Sequence, residues 1–201
     1  MIDYTQQYYI LRAEKGNHVP FLGAAKKTAE RNFSFEQQPA GSAPLVFSNT
    51  EREKNRREGV KEEVTPILFH GSNLAVCTLI RNALMDLDIP HLHMHPSIYI
   101  DDEDRRHEHY WYLTFTELFD CWDRAGSETS TSYLETGGEK RYDVYAYELD
   151  KAVLDNMPLE KRLLFKMGGT IEAFVFCHES ILGLFGNNAT SGARMVLAAD
   201  Y

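Results

Sequence analysis

The chain has 201 residues, of which 43% are hydrophobic and 25% charged, and its formal net charge is −9 at neutral pH. This is ordinary globular composition, which argues against disorder, collagen-like repeats and low-complexity classes, and the length suits one large domain or two fused halves. The acidic balance repels phosphate backbones and anionic lipid and attracts basic proteins, so a basic protein is the favoured partner class and nucleic acid is not.

Apolar runs such as Ala173–Phe176 fall far short of the roughly 20 residues that a membrane helix needs. The opening MIDYTQQYYILRAEKG has no basic flank, apolar core or small-residue cleavage site, and a cytoplasmic location is expected. Cys77, Cys121 and Cys177 are an odd number, lie far apart in hydrophobic segments and form no CxxC pair. They read as reduced, buried core thiols.

Taken in chain order, Gln6–Ala13 (QQYYILRA) is an aromatic and aliphatic run of strand character. The next thirty residues are rich in Gly, Pro, Ser and Asn, hold no period, and end in a break at Pro39–Pro44. Leu45–Asn49 is a second short strand. Thr50 and Glu53 then have the spacing of a capping box, predicting a short solvated helix that stops near Gly59. Its four basic residues, Arg52, Lys54, Arg56 and Arg57, are interleaved with glutamates that cancel their charge.

Two downstream segments share one order of strand, polar cap, helix, turn and strand. In the first, Ile67–Phe69 is the strand, Ser72 or Asn73 the cap, and Leu74, Cys77, Leu79, Ile80 and Leu84 the apolar helix face, with Asp88–Pro90 turning into a strand at His91–His95. In the second, Ala173–Cys177 is the strand, His178–Ser180 the cap, Ile181–Phe185 a short helix and Met195–Ala198 the closing strand. Between them, Trp111, Leu113 and Phe115 alternate with Tyr112 and Thr114 as in a half-buried strand. A turn at Gly137 and Gly138 then leads to Tyr142, Val144 and Ala146, alternating with Asp143, Tyr145 and Tyr147. The expected architecture is α+β: a mixed or antiparallel short-stranded sheet with short helices packed on it and two strand-helix-strand units. Residues 1–63 are expected to pack as strands, loops and a charged helix on a core of residues 64–201, forming one compact unit.

Few signatures of chemistry occur. His91, His93 and His95 at spacing two would point to one face of a strand, with His107 and His109 repeating the spacing. A three-histidine zinc hydrolase site with Asp101, Asp102 or Glu103 around it is therefore the enzymatic alternative, against the simpler reading of solvated imidazoles beside an acidic loop. Cys177 and His178 are strand neighbours that point to opposite faces and make no nucleophile pair. GxSxG, GxxxxGK[ST], HExxH and GxGxxG motifs do not occur. Asp101, Asp102, Glu103 and Asp104 form a run of carboxylates between two predicted strands, read as a solvated acidic loop.

The segments Pro44–Asn49, Pro66–Pro90, Tyr110–Glu128 and Leu163–Gly169, together with the final strand-helix-strand unit, resemble an immunity-protein family of bacterial polymorphic toxin and type VI secretion systems, the eleventh of the numbered immunity series. DCWDRAGS at Asp120–Ser127 matches that family's central signature, and the likeness extends over about two thirds of the chain. The histidines of HGS at His70–Ser72 and CHES at Cys177–Ser180, and the GNNATSGAR loop, depart from the pattern. The resemblance implies a stoichiometric antitoxin without catalysis, cofactor or metal. Its expected partner is a cognate, basic toxin domain, such as a type VI delivered DNase, whose active site it would occlude. Asp101, Asp102, Glu103 and Asp104 are the candidate toxin-binding residues, because a carboxylate run steers a basic protein toward contact.

Overall fold

The computed structural model describes residues 2–16, 18–136, 138–186 and 191–201. Gly137 of the expected Gly-Gly turn, and residues 187–190 of the GNNATSGAR loop, lie outside them.

The fold is α+β, with two main sheets sharing one apolar layer. Strands β1 (Tyr8–Ala13), β10 (Leu164–Lys166), β11 (Val175–His178) and β12 (Ala193–Leu197) form an antiparallel sheet in the order β10-β11-β1-β12. Strands β2 (Leu22–Ala24), β3 (Leu45–Asn49), β4 (Ile67–His70), β5 (Asn73–Cys77), β6 (Leu92–Ile100) and β7 (Arg106–Phe115) form a mixed sheet in the order β2-β3-β6-β7-β5-β4. Only its β3–β6 pair is parallel, running from Leu45 opposite Ser97 to Ser48 opposite Ile100. Residues 1–63 supply a central strand of the first sheet, β1, and two strands of the second, β2 and β3.

Side-chain alternation sorts the strands into three cores. Leu11, Leu164, Val175 and Cys177 from the first sheet meet Phe69, Val76, Leu113 and Phe115 from the second, all buried. Helix α3 (Thr78–Met85) and the 3-10 turn Glu179–Phe185 close this layer with Ile80, Leu84, Ile181 and Phe185. The opposite face of the first sheet carries Tyr8, Ile10, Phe165 and Phe176 against Trp122, Tyr147 and Leu154 of the short helix α4 (Lys151–Asp155). The outer face of the second sheet buries Phe47, Tyr99, Tyr110 and Tyr112, with Phe33 packed on Phe47 and Tyr112. The half-buried reading of Trp111–Phe115 is therefore corrected: Phe33 and Ser34, just after the short helix α1 (Lys26–Ala29), cover Tyr112 on the side that would have met solvent, and Thr114 Oγ1 donates to Phe33 O at 2.7 Å.

The first strand-helix unit also differs from expectation. Ser72 and Asn73 cap nothing; β4 turns back into β5 with His70 opposite Asn73, leaving a two-residue loop of Gly71 and Ser72. Gly71 has φ of 61°. Glycine at the first central position suits the primed turns that match strand twist, so Gly-Ser between apolar runs is a hairpin signal. Helix α3 begins only at Thr78, after Cys77, and Leu79 is exposed rather than core. The helix α2 (Arg52–Glu58) forms as expected and ends at Gly59 with φ of 67°. Its capping box does not form, because Thr50 Oγ1 donates to Phe21 O while the cap position is Glu51, without a side-chain bond. In the second unit His178 does cap, its Nδ1 accepting from Ser180 N at 3.2 Å, but the turn that follows is 3-10.

Among the described residues no helix is long and apolar enough to cross a membrane. All three cysteines are free; Cys121 and Cys177 are buried, whereas Cys77, at the end of β5, is only half-buried, correcting the expectation for that residue. Burial pushes the Cys121 and Cys177 thiols well above the ordinary range. Thiol labelling of the native protein should therefore modify Cys77 and spare the other two until the chain unfolds. Rapid native labelling of Cys121 or Cys177 would contradict the packing described.

Candidate functional surfaces

The carboxylates at Asp101–Asp104 occupy the turn between β6 and β7, and the structure gives them unequal roles. Asp101 is 1% exposed. It accepts hydrogen bonds from the backbone N–H groups of Glu103 (3.0 Å) and Arg105 (2.9 Å), from Arg105 Nε (2.8 Å) and from His107 Nε2 (2.9 Å). Burial alone would raise its pKa; these four donors overcome that and hold it at about 2. Asp102 receives Asn49 Nδ2 at 3.3 Å, its N–H donates to Glu62 Oε2 at 2.6 Å, and its carbonyl accepts from Arg52 and Arg56. Asp104 pairs with Arg52 at 2.7 Å and Glu103 with Arg105 at 3.0 Å.

The expectation of a solvated loop of four carboxylates is thus corrected. Asp101 is a buried anchor and Asp102 is engaged by α2, which leaves Glu103 and Asp104 as the exposed pair. The basic residues of α2, which the sequence suggests are cancelled by its own glutamates, are partly directed at this turn. Glu62 is the strained member. Burial pushes its carboxyl up to about 7; the bond from Asp102 N–H opposes this and the Asp102 and Asp101 charges reinforce it.

The histidines disperse. His91 precedes β6 with φ of 58°, and its Nδ1 lies 3.3 Å from Glu117. His93 and His95 share a face of β6, opposite Thr114 and Tyr112, and His95 Nε2 lies 3.0 Å from Ala43 O. His107 binds Asp101, while the His109 ring packs on Tyr110 at 4.5 Å between centroids. Among the described residues no group of three His, Cys, Asp or Glu side chains is placed to hold a metal ion.

The sequence reading reached the strand through Tyr142, Val144 and Ala146 but missed two features, the partner strand that makes it a separate hairpin and an apolar cleft. Strands β8 (Glu128–Thr136) and β9 (Glu139–Ala146) form a separate two-stranded sheet, in which, among the described residues, β8 pairs only with β9. Tyr133, Leu134 and Tyr145 are exposed on it, at 43%, 56% and 55%. Lys140 Nζ sits 4.5 Å over the Tyr133 ring, and Tyr133 packs on Tyr142. The base of this hairpin is the DCWDRAGS segment. Trp122 is buried with Nε1 donating to Gly168 O at 3.0 Å, Arg124 stacks on Trp122 at 4.1 Å while paired to Asp120, and Ser127 Oγ accepts from Glu148 N at 2.9 Å. A rigid root therefore presents an aromatic, solvent-exposed arm. The signal was the Thr129–Ser132 run TSTS, which has strand propensity but no apolar phase, as fits a strand that buries neither face.

The second feature is an apolar cleft of about 370 Å³ where the two main sheets meet, with Phe115, Phe119, Met157, Leu164 and Phe165 as walls and His91, Glu117 and Lys161 around it.

No family model and no curated protein matches the chain.

The acidic turn yields a prediction with opposite signs at two residues. A folded chain that holds a proton on Glu62 up to about pH 7, against an ordinary 4.5, loses stability as pH rises through that window. Glu62→Gln should accordingly be near neutral at low pH and stabilise by about 1 kcal/mol at alkaline pH, a figure reduced for its half-exposed setting. Asp101 behaves in the opposite sense: its contribution of about 2 kcal/mol is present at neutral pH and is lost as pH falls from 3.8 toward 2, so Asp101→Asn should destabilise at pH 7. Urea midpoints across pH check both, and a Glu62→Gln variant less stable than wild type at alkaline pH would overturn the assignment.

Proposed function

We propose that the protein is an immunity protein that binds a cognate secreted toxin domain in the cytoplasm and neutralises it by covering the active site or substrate entry, without catalysis of its own. The observation that carries this reading is the β8–β9 hairpin. Tyrosine is a usual anchor of protein interfaces, and here Tyr133 and Tyr145 stand exposed beside Leu134 on a strand pair that, among the described residues, hydrogen-bonds into neither main sheet and rests on the first through Val144 and Tyr142 of β9. The resemblance of DCWDRAGS supports the same reading, because that segment forms the root of the hairpin. The net charge of −9 favours a basic toxin, and nucleases that hold phosphate backbones, including type VI delivered DNases, are basic. Glu103 and Asp104 remain the members of the acidic turn able to steer such a partner, with Asp101 and Asp102 fixing its shape.

The test is titration of the toxin encoded beside this chain. Inhibition should be complete at one equivalent. Leu134→Ala combined with Tyr145→Ala should weaken binding about tenfold or more with an unchanged melting temperature, since both side chains are exposed. Replacing Glu103 and Asp104 by Gln and Asn should slow association and flatten its salt dependence. A toxin that is neither bound nor inhibited would remove the reading.

A further inference from the structure

The cleft between the two main sheets is formed in advance of any occupant. Phe115, Leu164 and Phe165 are 4%, 1% and 5% exposed and belong to the packed cores. The segment over them is pinned at both ends: Thr116 N donates to His91 O at 3.0 Å, and Phe119 N donates to Lys166 O at 2.9 Å. Phe119 meets Phe165 edge-on at 5.0 Å between centroids. A preformed apolar recess costs its ligand little ordering. Its volume of about 370 Å³ is at the low end of the roughly 300–1,000 Å³ of small-molecule pockets, which suits one ring system rather than a large cofactor.

Charge sits only at the mouth. His91 faces Glu117 at 3.3 Å, and Lys161 faces Asp88 at 3.5 Å, with both carboxylates well exposed. The lysine faces a full carboxylate, whereas Glu117 faces an imidazole, which carries charge only when protonated, so Glu117 is the group whose charge is least matched and the charge that complements it is positive. An aromatic ring can meet Phe115, Phe119 and Phe165 in the offset or edge-on geometries that such rings prefer.

We infer that this cleft receives an aromatic side chain flanked by basic residues on the partner protein, the ring lying between Phe115 and Phe165 and the neighbouring cation at Glu117. That the partner is the toxin rests on the proposed function; the preference for a cationic ring rests on the cleft alone.

The test needs no toxin. With methionine methyl groups labelled with carbon-13, tryptophanamide, a cation at neutral pH, and indole-3-acetate, an anion with the same ring, are titrated into the full chain. The Met157 methyl should shift with tryptophanamide, which should bind about fivefold more tightly than indole-3-acetate. Glu117→Gln, at an exposed position, should bring the ratio close to one. No Met157 shift with either compound, equal or tighter binding of the anion, or a ratio unchanged in Glu117→Gln would each overturn the inference. Because no toxin is present, failure here removes the cleft, whereas failure of the neutralisation titration removes the toxin.

Discussion

The shared apolar layer between the four-stranded and six-stranded sheets is the constraint on which the other features depend. Leu11, Val175 and Cys177 on one side and Phe69, Leu113 and Phe115 on the other are all buried, and each of the aliphatic and phenylalanine side chains contributes about 1.5–3 kcal/mol on burial. The surface ion pairs of α2, in contrast, are worth roughly 0–1 kcal/mol each. Packing of the sheets therefore sets the architecture. It places the ends of β7 and β10 side by side, and the apolar cleft is the gap left where that layer reaches the surface.

Electrostatics acts within this frame as a local fastener. The β6–β7 turn would carry four adjacent negative charges if left in water. Instead Asp101 is drawn under the turn by two backbone N–H groups, Arg105 and His107, and α2 brings Arg52 and Arg56 to the Asp102 carbonyl. A net charge of −9 is thus displayed less at this turn than the sequence suggests. The same arrangement half-buries Glu62 beside Asp101 and Asp102, and burial first, then those two charges, raises its pKa. The hairpin has the reverse character. It is held by its Trp122 root and by Val144 and Tyr142 of β9, which pack on the core of the first sheet, and it leaves Tyr133, Leu134 and Tyr145 exposed, an arrangement with more to offer a partner than the fold itself.

Much of the fold was legible because periodicity reports burial. Leu45–Asn49 was readable as a strand, the Gln6–Ala13 strand was readable apart from its first two residues, which close the 3-10 turn before Tyr8, the charged helix was readable with its end at Gly59, and His178 as a cap, since each is determined by its own few residues. What was missed depends on distant packing. Gly71-Ser72 is a hairpin loop that also resembles a helix entry, and the choice is made by β5 pairing with β7. Tyr112 reads as solvent-facing by alternation until Phe33 arrives from seventy-nine residues upstream to cover it. Asp101 reads as one of four equal carboxylates, and only the positions of Arg105 and His107 single it out. The histidines illustrate the converse: spacing two suggests convergence, but the positive φ of His91 turns it out of the strand toward Glu117.

Hydrogen exchange on the isolated chain and on its complex with the adjacently encoded toxin tests the central claim most directly. If the hairpin is the partner-facing surface, amides of β8 and β9 should gain protection on binding, while those of β1 and β11, already buried in the sheet, should change little. Protection confined to other surfaces, with the hairpin amides exchanging as in the free chain, would contradict it.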